Sequence, residues 1–209
     1  HSGCSVSLSS DGSIVAIGAT DNSGNGNYSG HVRIYENTSG TWTQIGQDID
    51  GEAAYDQSGY SVSLSSDGSI VAIGARYNDG NASAAGHVRI YENTGSTWTQ
   101  IGQDIDGEAT EDESGFSISL SNDGSIVAIG ARENDGNGSD AGHVRVYQFV
   151  TVLGCTDPLA CNYNTLATSD DGSCNYSSTS TVTQTSCNIY QWDGVDYTST
   201  GQYTNIYTD

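Results

Sequence analysis

"SGYSVSLSSDGSIVAIGA", residues 58–75, is the stretch on which the fold turns. Its serines alternate with Val62 and Leu64, which is the period of a strand with one apolar and one small polar face. Asp67 and Gly68 then supply a tight hairpin turn, because both tolerate the positive φ that such turns need. Beyond the turn, Ile70 to Ala75 offers apolar or small residues to both faces, so that strand has to be covered on both sides. Working outward, an Asn/Gly-rich loop leads to "GHVRIYE" (86–92). This third strand puts Val88 and Ile90 on one face and His87, Arg89 and Tyr91 on the other. After an "NTGS" turn, "TWTQIGQ" (97–103) supplies a fourth strand, and no helix signal interrupts the pattern.

The phrase "DGSIVAIGA" occurs at 11–19, 67–75 and 123–131, and His31, His87 and His143 follow one another at a constant 56 residues. Such a period means stacked units that cover each other's apolar faces. Four-stranded units of this length suit a β-propeller, whereas the coils of a linear β-solenoid are shorter and lack repeated hairpins. The expected fold is therefore all-β: a partial propeller of four-stranded antiparallel blades over residues 1–56, 57–112 and 113–150. The last blade is expected to lack its fourth strand, because "GHVRVYQFV" runs directly into "TVLGC". A ring typically needs about four to eight blades, so the remaining blades are expected to precede His1. The opening "HSG" aligns with "QSG" and "ESG", which points the same way, to an excerpt of a longer protein.

Hydrophobic residues make up 34% of the 209 and the formal net charge is -21. Averaged over the chain, that is a signature of disorder, yet the strict periodicity shows a folded design whose acids, Asn and Gly lie between the strands. There is no lysine, and the five arginines (Arg33, Arg76, Arg89, Arg132, Arg145) all lie inside the repeats. This balance repels nucleic-acid phosphates and anionic membranes, so neither partner is expected. No apolar run approaches membrane-spanning length. Cys4, Cys155, Cys161, Cys174 and Cys187 sit in loop-rich sequence without CxxC pairs, which fits an oxidising, extracellular or cell-surface setting better than a zinc site.

The order "SGYSVSLSSDGSIVAIGA" and "SGFSISLSNDGSIVAIGA" resembles the FG-GAP repeat of integrin α-subunit propellers and of bacterial surface proteins. Gly59 and Gly115 match the glycine of "FG", and Gly74-Ala75 and Gly130-Ala131 match the start of "GAP". The aromatic is displaced to Tyr60 and Phe116, and Thr20, Arg76 or Arg132 replaces the proline. Calcium-binding members carry several carboxylates in the first hairpin. Here only Asp11, Asp67 and Asp123 remain among serines, so the hairpins are expected to bind no calcium, which asks for about six to eight oxygens. "GCTDPLACNYNTLATSDDGSC" (154–174) resembles a cysteine-bounded module of secreted bacterial surface proteins, placed at 151–175, and residues 176–209 resemble the start of a Tyr/Thr-rich β-repeat. The module implies a Cys155–Cys174 disulfide, with Cys161 as competing partner, closing a loop worth about 3 kcal/mol. The partners of Cys4, Cys161 and Cys187 stay open.

No Ser/His/Asp set or phosphate-binding glycine motif stands out, so catalytic residues and cofactors are not expected. His31, His87 and His143 are read as strand starts, and Arg33, Arg89 and Arg145 as partners of acids between blades, in preference to a ring of ligand sites. Trp42 and Trp98 are read as inter-blade packing in preference to sugar platforms. The acidic loops "DIDGEAAYDQSG" and "DIDGEATEDESG" are read as solvated charge. Ca2+ has room only in "NDGNGSD" (134–140) and at Asp157, Asp170 and Asp171 of the C-terminal module. Cys4, at the place of Tyr60 and Phe116, is expected to be a buried thiol. The functional expectation is a non-enzymatic propeller segment for adhesion, display or protein interaction on a bacterial surface, with an extracellular protein or glycan as partner. The alternative is a carbohydrate-binding module of a secreted hydrolase.

Overall fold

The computed structural model describes residues 2–95, 97–149, 155–165, 170 and 172–176, and the backbone course of strands between 178 and 207. The chain divides into two compact units, His1–Phe149 and Val150–Asp209. Among the described residues, no helix is long and apolar enough to cross a membrane.

The first unit is three consecutive antiparallel sheets that resemble propeller blades. Blade 1 is formed by β1 (Ser5–Leu8), β2 (Ile14–Ala19), β3 (His31–Thr38), β4 (Thr41–Gln44) and β5 (Ile49–Asp50). Blade 2 repeats it with β6 (Ser61–Leu64), β7 (Ile70–Ala75), β8 (His87–Asn93), β9 (Trp98–Gln100) and β10 (Ile105–Asp106). Blade 3 has β11 (Ser114–Leu120), β12 (Ile126–Ala131) and β13 (His143–Gln148), and its described residues add no outer strand. The expected fourth strand is in two pieces. In blade 1, β4 pairs with Tyr35–Thr38 and β5 with His31–Val32 on the same edge of β3. Between them Gly46 takes a positive φ of 70°, and the chain bulges before it rejoins the edge.

Each hairpin is closed by the same small network. The Asp11 carboxylate accepts hydrogen bonds from the Ser9 hydroxyl and from the amide and hydroxyl of Ser13, and Asp67 and Asp123 do the same with the equivalent serines. These bonds lower Asp11 and Asp123 to a pKa of about 2, the Ser13 amide being the main cause for the first and the Ser121 hydroxyl for the second. The three aspartates are turn residues.

Apolar faces meet between the blades. Ala16, Val32, Ile34 and Ile49 of blade 1 pack on Val62, Leu64, Val71, Ile73, Tyr91 and Trp98 of blade 2. One repeat later, Ala72, Val88 and Ile90 pack on Val127 and Ile129, with Ile118, Leu120, Tyr147 and Phe149 alongside. The small polar faces of the first strands have a second use. The Ser7 and Ser63 hydroxyls accept the amides of Leu64 and Leu120 in the following blade, both at 3.0 Å, while Ser5 and Ser61 donate to the carbonyls of Gly59 and Gly115 at 2.7 Å. Those two carbonyls also explain the glycines of β2 and β7. A Cβ on Gly18 would collide with the Gly59 carbonyl and one on Gly74 with that of Gly115, while Gly59 and Gly115 hold positive φ values of 82° and 84°.

In the second unit Cys155 and Cys174 form a disulfide, and Cys161 is a free, exposed thiol. β14 (Ser178–Thr183) pairs with β17 (Gln202–Tyr207), and β15 (Tyr190–Trp192) with β16 (Val195–Tyr197). Cys187 and Asp171 lie outside the described residues. Cys4 corrects an expectation, because its thiol is exposed. Arg76 lies 3.9 Å over the Tyr60 ring and Arg132 lies 4.5 Å over Phe116. The first repeat has Thr20 where those arginines stand, so no long side chain covers position 4.

Candidate functional site

The chemistry-bearing residues gather where the third strand of one blade meets the outer strand and the linker of its neighbour. His31, His87 and His143 are the first residues of β3, β8 and β13, held in register against Ala19, Ala75 and Ala131. Two positions on, each arginine reaches sideways. Arg89 donates to the carbonyl of Asp50, the last residue of β5, at 2.9 Å and pairs with Glu52, in the linker that leaves blade 1, at 3.2 Å. Arg145 repeats this on the Asp106 carbonyl and Glu108. Arg33 instead grips Asp48 of its own blade with Nε at 2.9 Å and Nη2 at 2.7 Å. The arginines thus pair with acids, across the blade junction in two cases and within the blade in the first.

Around His87 the acids come from two repeats. Glu52 Oε2 lies 3.9 Å from His87 Nδ1 and Asp104 Oδ2 lies 3.7 Å from it. His87 is fully buried, and its Nδ1 has no hydrogen-bond partner. Burial, helped by the Arg89 charge and opposed by Asp104 and Asp56, pushes His87 down to a pKa of about 4, so the ring is neutral near pH 7. The equivalent group in blade 1 is His31 with Asp48 and Asp50, where Asp48 is held at a pKa of about 2, chiefly by Arg33 and also by Gln44. In blade 3, His143 has Glu108 at 3.7 Å. The two three-residue groups of blades 1 and 2 are the clusters with metal-ligand chemistry among the described residues.

The other candidates fall elsewhere. Asp157 accepts the Leu159 amide at 2.8 Å and the Tyr176 hydroxyl at 2.7 Å, and Asp170 accepts the Gly172 amide at 3.0 Å, so both organise turns of the module. In "NDGNGSD", Asp135 accepts the Asp140 amide at 2.8 Å and Asn134 is buried against Asp112. Trp98 is buried between blades and donates from its indole to the Ile45 carbonyl at 3.0 Å, while the face that carries Trp42 is open. The acidic loops are not uniformly solvated. Asp56 and Asp112 are buried latches: Asp56 accepts the Ala53 amide and the Asn78 side chain, and Asp112 accepts the Ala109 amide and the Asn134 side chain. Burial is tolerated because each carboxylate receives several donors. One signal was available in the sequence, since both acids stand two residues before the Ser-Gly of the next repeat.

Stacked antiparallel sheets with their glycine contacts define the class, consecutive β-propeller blades. A family profile described as FG-GAP repeat matches residues 49–91 and 105–147, and these segments are FG-GAP repeats. No curated protein matches the chain. Among solved structures, a candidate 6-phosphogluconolactonase of Bacteroides uniformis is similar at 17% identity over 68% of this chain and 35% of that one, with a TM-score of 0.44. The hydrazine synthase of Kuenenia stuttgartiensis is similar at 13% identity over 68% of this chain and 44% of its own, with a TM-score of 0.43. The chain therefore spans less than half the length of either.

Proposed function

We propose that this FG-GAP propeller segment is a non-enzymatic recognition or display element on a bacterial surface, which takes an extracellular protein or glycan as partner. The observation that carries this reading is how the polar residues of the repeat are used. Arg89, Arg145, Ser7 and Ser63 bond across blade junctions, and Asp11, Asp67 and Asp123 close turns. These groups build a scaffold, and function has to be argued from a site placed upon it. The Cys155–Cys174 disulfide supports an oxidising compartment. The aromatic corner of Val15, Ile17, Tyr35 and Trp42 gives the carbohydrate alternative its one foothold. The same corner in blade 2 is inter-blade packing, which favours the scaffold reading. The test is immobilised full-length chain on a glycan array beside a panel of extracellular proteins. Saturable binding to a protein or to a surface glycan supports the proposal. Hydrolysis of an arrayed glycan by the purified chain contradicts it, and binding of one polysaccharide that Trp42→Ala abolishes moves the assignment to a carbohydrate-binding module.

A further inference from the structure

The geometry points to a divalent transition-metal site, of the kind Zn2+ fills, at the junction of blades 1 and 2, with His87 Nδ1, Glu52 and Asp104 as its protein ligands. Three observations carry it. His87 Nδ1 is a buried ring nitrogen with no hydrogen-bond partner, and it is aimed between two carboxylates. A buried polar atom left in that state asks for an explanation, and an unplaced ion is one of the standard ones. Next, each carboxylate is already oriented by a partner on its far oxygen. Gln100 donates to Asp104 Oδ1 at 2.6 Å, and Arg89 lies 3.2 Å from Glu52 Oε1. The oxygens turned to His87 are the other two. Supporting bonds of this type hold metal ligands in place. One imidazole nitrogen and two carboxylate oxygens with water completing the shell is a donor set that suits Zn2+, and a neutral ring is the form that binds.

The distances from His87 Nδ1 leave little to adjust, and the three ligand atoms lie within 4.8 Å of one another. Metal bonds of about 2.0–2.1 Å set ligand atoms roughly 3.3 Å apart around a tetrahedral ion. The observed 3.7 and 3.9 Å are wider by about half an ångström. Glu52 is exposed and Asp104 half-buried, so both can close in. The repeat also explains why blade 2 differs from the other two blades. A complete site needs an acid from the preceding linker and another from the turn between the two pieces of the blade's own outer strand. Blade 2 has both. In blade 1, both oxygens of Asp48 are occupied by Arg33 and one also by Gln44. In blade 3, the described residues include no outer strand.

Zn2+ titration of the full chain by calorimetry, with the free thiols blocked, tests the inference. It predicts one equivalent taken up, weakened at least about 100-fold in His87→Asn and about 10- to 100-fold in Glu52→Gln, with Asp48→Asn unchanged. Glu52 is exposed, so its variant remains informative where the buried His87→Asn fails to fold. Absence of stoichiometric uptake, or uptake that Glu52→Gln leaves unchanged, would overturn the site and leave the Nδ1 group to a bridging water.

Discussion

Val88 in the middle blade is completely buried, while Val144, the same position one repeat later, is 67% exposed. Trp98 is 3% exposed and Trp42, one repeat earlier, 45%. Val6 and Leu8 on the outer side of blade 1 are likewise open, whereas Val62 and Leu64 are covered. The local sequences are nearly the same, so the difference lies entirely in the neighbour. A blade of this repeat makes half of two cores and completes neither alone, as expected for stacked repeats whose stability is a sum of unit and interface terms. Blade 2 has both interfaces, and each end blade has one. The polar groups follow the same rule: Arg89 finds its acid in the preceding linker, and Arg33 makes do with Asp48.

Substitutions at matched positions sharpen this comparison. The largest effect is expected for Val88→Asp, which puts an unpaired charge into the blade 2–blade 3 core and should cost upwards of about 4 kcal/mol, enough to prevent folding of blade 3. Val144→Asp should change urea stability by less than about 0.5 kcal/mol. Equal losses would mean that the exposed face is covered after all. Trp98→Ala should cost about 3–4 kcal/mol, since it leaves a cavity and strips the Ile45 carbonyl of its indole donor, against about 1 kcal/mol for Trp42→Ala. Thermal unfolding of the two variants side by side is the check.

A smaller contrast is expected at the glycines. Gly74→Ala drives a methyl into the Gly115 backbone, whereas Gly130→Ala meets its own Ser117 hydroxyl, which can rotate away. Destabilisation of about 2 kcal/mol is expected for the first and well under 1 kcal/mol for the second by denaturant titration. The smallest effect concerns Asp48. Its carboxyl is held at a pKa of about 2 by Arg33. A depressed acid stabilises the fold fully above the ordinary carboxylate pKa near ~4, and that contribution is lost as the pH falls toward the folded value. Asp48→Asn should therefore cost at most about 1 kcal/mol at pH 7, because the pair is partly exposed, and should flatten the decline in melting temperature between about pH 4 and pH 2. An unchanged acid limb would show that Arg33 finds another partner.

The blade itself was legible in the sequence because its signals are local. Alternation in "SVSL", the Asp-Gly turn and the doubly apolar "IVAIGA" fix strands and hairpin within one repeat, and the 56-residue period supplies the stacking. The size of an indole at a recurring strand position assigned Trp98 and Trp42 alike to inter-blade packing; Trp98 is buried there, whereas Trp42 is 45% exposed. The parts that escaped depend on contacts between repeats. Glu52, His87 and Asp104 are far apart in the chain and meet only because a linker crosses to the next blade. Asp56 and Asp112 look like members of an acidic run until the folded loop supplies donors to each. The break in the outer strand depends on the backbone of Gly46, and the exposure of Cys4 on what replaces an arginine at position 20. In each case the sequence shows the residue type, and the fold decides its surroundings.

The central claim, that burial in this repeat is conferred by neighbouring blades, is tested most directly by amide hydrogen exchange in β2, β7 and β12. All three read "IVAIGA", so their intrinsic exchange rates are the same, and peptides carrying the distinguishing flanks report each copy separately. The account predicts that Ile70–Ala75 exchanges roughly 10- to 100-fold more slowly than Ile14–Ala19 and Ile126–Ala131, because the blade with two interfaces opens least. Equal protection of the three copies, or slowest exchange in an end blade, would contradict it.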